Sequence, residues 1–211
     1  MNTNPNTKRI LCFGDSNTWG QNPGGGRYPA NVRWTGILQN LLGGDFEIIE
    51  EGLGGRTTVY DRPDRQGRNG KTYLLPCVVS QSPFDMVIMS LGTNDFKNQQ
   101  IDVEDVVNGN EELIKIIREY GWNKDSKIPQ LVLVCVPSIL ESEYTIDKGM
   151  GGAKEKIEKL PLEIKKLAEK YNAEFVNLQE IVKPSEIDGC HLEAAEHKKI
   201  ADALYKICIK I

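Results

Sequence analysis

Asp85-Met86-Val87-Ile88-Met89-Ser90-Leu91 and Gln130-Leu131-Val132-Leu133-Val134-Cys135-Val136 are two short, nearly unbroken apolar runs. A strand wetted on one face alternates apolar with polar residues. These runs do not alternate, so each reads as a strand buried on both faces. Pro137 stops the second. Working outward, residues 8–13, 46–50 and 174–178 read as three further strands. Segments of helical period lie between them. Residues 31–42 carry Ile37, Leu38, Leu41 and Leu42 on one face, and 103–120 carry Val106, Leu113, Ile114 and Ile117. Residues 153–171 form a charged amphipathic helix whose first turn Pro161 should break or offset, and 192–211 close the chain. Strands alternating with helices predict an α/β domain: a parallel sheet covered on both faces. One domain is expected over 1–211, with 1–7 flexible and with long loops at 60–76 and 138–152. Loops of that length are usually functional or interface-forming.

The formal net charge is −4 over 211 residues, and no Lys/Arg cluster persists along a segment. That excludes a nucleic-acid partner, whose affinity rests on neutralising phosphates. The polar N-terminus lacks the apolar core of a signal peptide, and no stretch approaches the ~18 apolar residues of a membrane span. Cytoplasmic residence is the expectation. The five cysteines are widely spaced, without a C-x-x-C pair, and read as free thiols in a reducing compartment. With only His191 and His197 available, no metal site and no cofactor are expected.

In a doubly wound sheet, ligands bind beyond the carboxyl ends of the strands. Ser16, Gly54-Gly55 and Asn94 each fall just after a predicted strand, so three polar loops converge on one edge. Alone, each has a plain structural reading. Gly14-Asp15-Ser16-Asn17-Thr18 is rich in turn formers, and Thr18 excludes the G-x-S-x-G elbow. The glycines of Gly52-Leu53-Gly54-Gly55 suit a tight turn, and they also expose backbone N–H groups that an oxyanion would need. Asn94 is an ordinary cap or Asx-turn residue, or an amide donor to that oxyanion. Asp188-Gly189-Cys190-His191 is sharper. A carboxylate three residues before an imidazole can hold one ring nitrogen and leave the other facing Ser16. Serine, carboxylate and imidazole are what turn a weak hydroxyl into a nucleophile. His197 lacks a carboxylate at matching spacing and reads as a core or surface residue. Gly67-Arg68-Asn69-Gly70-Lys71-Thr72 is not a phosphate loop, because position 65 is Arg and no strand precedes it.

Gly14-Asp15-Ser16, the Gly54-Gly55 loop, Gly92-Thr93-Asn94-Asp95 and Asp188-x-x-His191 resemble, in order, the four blocks of the SGNH (GDSL-type) hydrolase superfamily. A finer likeness, in Gly14–Gly20, Glu51–Thr58 and Leu91–Asp95, is to the bacterial arylesterase/acyltransferase branch. The resemblance implies a flavodoxin-like three-layer α/β/α sandwich with a central, mostly parallel five-stranded sheet. It implies a serine esterase of short-chain acyl esters, with Ser16 as nucleophile, His191 as general base then acid, and Asp188 orienting His191. Ser16, Gly55 and Asn94 would form the oxyanion hole. Asp15, Trp19, Gly54 and Tyr73 would line a small apolar acyl pocket, to which Trp34 is a weaker candidate. The partner would be a small-molecule ester. The branch also implies a homo-oligomer assembled through the two long loops. Acyl transfer to an alcohol, carbohydrate O-acetyl hydrolysis, a non-catalytic ester- or sugar-binding module and a flavin or nucleotide binder are the rival readings. The superfamily often has Asn where Glu50 or Glu51 stands, which leaves the bracing of the Gly loop open. Cys190, between Asp188 and His191, is either an inert packed thiol or a point where oxidation would distort the pair.

Overall fold

The computed structural model describes residues 3–211. Its sheet comprises β1 (Lys8–Gly14), β2 (Phe46–Gly52), β3 (Met86–Ser90), β4 (Gln130–Cys135) and β5 (Glu174–Asn177), in the order β2-β1-β3-β4-β5. Every neighbouring pair is parallel, so the mostly parallel sheet expected is fully parallel. Leu11 sits opposite Ile49 on one side and Val87 on the other, and Leu133 opposite Phe175.

The unbroken apolar runs are explained by two cores. Leu11, Phe13, Val87, Met89, Leu131 and Leu133 point to one face. Ile10, Cys12, Met86, Ile88, Val132 and Val134 point to the other. On the first face lie α3 (Gly70–Gln81), α4 (Val103–Tyr120) and α7 (Leu160–Lys170); on the second lie α2 (Trp34–Leu42) and α8 (Ala194–Cys208). That is the three-layer α/β/α sandwich. Each Leu or Ile buried this way contributes about 1.5–3 kcal/mol, which is what holds the layers together. The start of α4 is set locally by a capping box, Asp102 with Asp105, and Val106, Leu113, Ile114 and Ile117 form its buried stripe. Trp34 is 4% exposed in the second core and does not line the cavity that Ser16 borders.

Both long loops are corrected. Residues 70–81 are helical despite Pro76. Asn69 caps the helix by accepting from the Thr72 N–H at 3.3 Å, and Leu74, Cys77 and Val78 form a short buried stripe. Pro76 and the residue four back, Thr72, are both exposed, so the carbonyl deprived of its helical donor meets water. Within 138–152, α5 (Glu143–Asp147) is a single turn capped by Ser142 and Thr145. The expected helix at 153–171 is divided into α6 (Ala153–Ile157) and α7, and Pro161 stands in the first turn of α7, where its missing N–H costs nothing. Of the segment 1–7, residues 1 and 2 lie outside the described residues. Thr7 is buried, its N–H donates to the Asn4 carbonyl, and Lys124 reaches the Pro5 carbonyl. No helix among the described residues is long and apolar enough to cross a membrane.

Candidate active site

β1 ends at Gly14, and Asp15 then caps the single turn α1 (Ser16–Trp19) by accepting from the Asn17 N–H at 2.9 Å. A Cβ on Gly52 would collide with the Trp19 N and the Thr18 carbonyl carbon. Glycine there lets the end of β2 press directly against α1, which fixes Ser16 at the sheet edge. As the first residue of α1, Ser16 presents an N–H that has no acceptor within the helix. Its side chain borders a cavity of about 540 Å³.

The last block reaches the same edge from the far end of the chain. His191 Nε2 lies 3.0 Å from Ser16 Oγ, and His191 Nδ1 lies 2.6 Å from Asp188 Oδ2. Asp188 stands in a turn before α8, where its Oδ1 accepts from the Cys190 and His191 N–H groups, each at 2.9 Å. Burial alone would raise the Asp188 pKa. The bonds from the His191 ring and from these two N–H groups outweigh it and hold the carboxyl below its ordinary value. The turn itself is braced by the supposed 138–152 loop. The Leu140 N–H donates to the Gly189 carbonyl at 2.7 Å. Gly189 has φ +71° and lies so close to the Leu140 carbonyl and Ser142 Oγ that a Cβ would not fit.

Gly54 and Gly55 both border the cavity, and Gly55 adopts φ +82°. The loop they belong to is braced by Arg56, which the sequence reading missed. Arg56 is 2% exposed, and its Nη1 donates to the Gly14 carbonyl at 2.8 Å and also to the Glu51 carbonyl. Its guanidinium lies 4.1 Å from the Phe13 ring centroid and 5.1 Å from that of Tyr73. The bracing left open by Glu50 and Glu51 is thereby explained. Glu50 is held by Arg33, at 2.7 Å and 2.9 Å, while Glu51 accepts from Tyr73 and Gln81. The Arg56 carbonyl in turn accepts from Asn94 Nδ2 at 3.2 Å, which aims the amide along the cavity wall and leaves its second N–H available. Beside it Asp95 accepts from the Thr58 N–H and from Thr58 Oγ1, the latter at 2.5 Å, tying the third block to the second. Burial pushes the Asp95 carboxyl up to about 7, against the pull of the Thr58 bonds.

The tertiary structure therefore brings Ser16, Gly54, Gly55, Asn94, His191 and Trp19 around one cavity. It leaves Asp15 and Tyr73 out of the wall: Asp15 is a buried cap, and Tyr73 stacks behind the Gly loop with its hydroxyl on Glu51. The pocket is not the small apolar one expected. Arg62, Arg65, Arg68, Lys97 and Lys148 border it, with Asp64 and Asp147 as its carboxylates. Cys190 is at its rim, buried, with burial pushing the thiol up to about 12, which favours the packed-thiol reading over the oxidation one. His197 is fully buried, its Nδ1 accepting from the Trp34 N–H at 3.3 Å, and burial and Arg33 lower its pKa to about 4. Among the described residues no group of three or more His, Cys, Asp or Glu is placed to hold a metal ion.

Comparison with known proteins places these features. The family model of the GDSL-like lipase/acylhydrolases matches residues 12–199. Est24, a carbohydrate acetylesterase from Sinorhizobium meliloti, superposes with a TM-score of 0.91 at 34% identity, covering 97% of this chain and all of its own. The M. smegmatis aryl esterase superposes with a TM-score of 0.88 at 32% identity, covering 97% of this chain and 99% of its own. A curated relative, the uncharacterized lipoprotein YqeF of Bacillus subtilis (strain 168), is 34% identical over 86 residues, so the match spans only 31% of its length. The matched span contains all four sequence blocks and the cavity they build, and the chain belongs to the GDSL-like lipase/acylhydrolase family of SGNH hydrolases.

Proposed function

We propose that this carboxylic-ester hydrolase cleaves short-chain acyl esters through an acyl-enzyme on Ser16. The observation that carries the reading is the hydrogen-bonded chain from Ser16 Oγ through His191 to Asp188 at the cavity wall. Ser16 Oγ attacks the ester carbonyl carbon while His191 Nε2 takes its proton. The carbonyl π electrons move onto oxygen, and the Ser16 and Gly55 N–H groups and the Asn94 amide receive that charge. The intermediate collapses, the alkoxide leaves, and His191 returns the proton to it. His191 then deprotonates a water as it attacks the acyl carbon and returns that proton to Ser16 Oγ as the C–O bond breaks and the acid leaves. Asp188 holds Nδ1 protonated throughout and stabilises the cation formed on the ring.

The two structural relatives are a carbohydrate acetylesterase and an aryl esterase, so acetylated sugars and aryl esters are the substrate classes to try first. Transfer of the acyl group to an alcohol uses the same intermediate and is read from product analysis with added alcohol. A homo-oligomer and cytoplasmic residence belong to the same proposal. The five buried thiols suit a reducing compartment, and light scattering measures the mass. The deciding experiment combines p-nitrophenyl acetate turnover with fluorophosphonate labelling. Label on Ser16 and loss of turnover in Ser16→Ala are expected. Label on another residue, with Ser16→Ala still active, would overturn the assignment.

A further inference from the structure

The cavity beside Ser16 is cationic on a chain whose net charge is −4, so the excess is local and built by particular residues. Two guanidinium groups converge on the Gly loop. A Cβ placed on Gly55 would lie 3.0 Å from Arg65 Nη1 and 3.4 Å from Arg62 Nη1. Arg62 spends Nε and Nη2 on Asp64, but its Nη1 is buried without any partner. A buried guanidinium nitrogen left unpaired is costly unless something else occupies it. Lys97 comes to the same wall from just beyond Asn94. Its pKa is lowered by burial and then by Arg62 and, more weakly, Arg65, so the charges repel one another across the cavity. Arg68 feels burial and the same two arginines. Among the described residues Arg65, Arg68 and Lys97 form no ion pair. The carboxylates of the rim do not neutralise them: Asp64 is held by Arg62, and among the described residues Asp147 forms no ion pair with any of them.

Taking the esterase reading as its basis, we infer that Arg62, Arg65 and Lys97 form an anion subsite, and that the preferred substrate is an ester carrying a carboxylate or similar anionic group a few bonds from its carbonyl. A free guanidinium such as that of Arg65 grips a carboxylate with two parallel N–H bonds, Arg62 Nη1 can add a third, and a cavity of one charge sign concentrates the opposite sign. The anion can belong to the alcohol or to the acyl half.

The test compares kcat/KM at low salt in two arms. One sets 4-acetoxybenzoate against its neutral methyl ester. The other sets p-nitrophenyl hemisuccinate against p-nitrophenyl butyrate. A preference for the anion of about ten- to a hundredfold is expected in one arm, set by charge-assisted hydrogen bonds. It should collapse toward unity in Arg65→Gln and in Lys97→Gln, and shrink in 0.5 M NaCl. Arg65 is exposed on its loop, so folding of that variant is checked simply by its melting temperature. Neutral esters turned over as well as the anionic ones in both arms would overturn the anion subsite and leave the esterase reading standing. Failure to hydrolyse any ester would sink the esterase reading instead. Calorimetric titration of Ser16→Ala with benzoate and succinate then decides the subsite: binding weakened by Arg65→Gln supports it, and no binding, or binding indifferent to Arg65 and Lys97, overturns it.

Discussion

Replacing Asp188 by Asn tests the proton path with almost no change of shape. The carboxylate makes two separate commitments: Oδ1 accepts from the N–H groups of Cys190 and His191, and Oδ2 faces His191 Nδ1. An asparagine has one oxygen for both. If that oxygen stays on the two backbone donors, the NH₂ faces Nδ1, which must then be the unprotonated nitrogen. The proton moves to Nε2, where it blocks the ring from accepting the Ser16 proton. Turning the amide over restores the useful tautomer but leaves two buried N–H groups opposed by an NH₂. At ~1–3 kcal/mol for each unsatisfied group, that orientation is disfavoured by about 2–6 kcal/mol, a bias of roughly 30-fold to 10⁴-fold. Asp188→Asn should therefore lower kcat for p-nitrophenyl acetate by about 10³-fold near neutral pH with little change in melting temperature. Full pH–rate profiles of both proteins are the assay. A loss smaller than tenfold across the profile would refute the claim that the carboxylate selects the tautomer.

Asn94→Ala should cost about 100- to 1,000-fold in kcat with KM little moved, as the loss of one oxyanion donor does elsewhere; steady-state kinetics on an aryl acetate checks it. Gly52→Ala should displace α1 and remove most activity, because its methyl group would need the space of the Trp19 N; labelling of Ser16 by a fluorophosphonate would slow in parallel. Asp95 and His197 should pull stability in opposite directions with pH. With its pKa raised from 3.8 to about 7, folded Asp95 keeps a proton that the unfolded chain releases, so its contribution falls as pH rises through that window. With its pKa lowered from 6.5 to about 4, His197 takes up a proton only on unfolding, so its contribution is lost as pH falls through that window. Urea midpoints at pH 4, 5.5 and 7 should thus rise more steeply with pH in Asp95→Asn than in the parent, and less steeply in His197→Gln.

Periodicity and local chemistry carried much of this protein. The strands at 86–90 and 130–135 declared burial on both faces because no alternation survives where both sides are dry. The order of helices and strands then required a parallel sheet, and a parallel sheet sends its loops to one edge. Asp188 and His191 were legible as a pair because three residues of turn suffice to join them. The misses share one cause: each depends on a partner far away in the chain. Pro76 hid a helix whose stripe is buried only against the sheet and α4. Arg56 gave no local sign of its bracing role, since its burial needs Phe13, Tyr73 and two strand-end carbonyls in one place. Tyr73 looked like a pocket aromatic until Glu51 claimed its hydroxyl. The character of the cavity escaped for the same reason. Arg62 and Arg65 lie in an unremarkable charged loop, and only the packing of that loop over Gly55 turns them into a cationic wall. Side-chain pattern speaks for what each segment buries. Which charges meet across a cavity is settled by long-range contacts that no local pattern encodes.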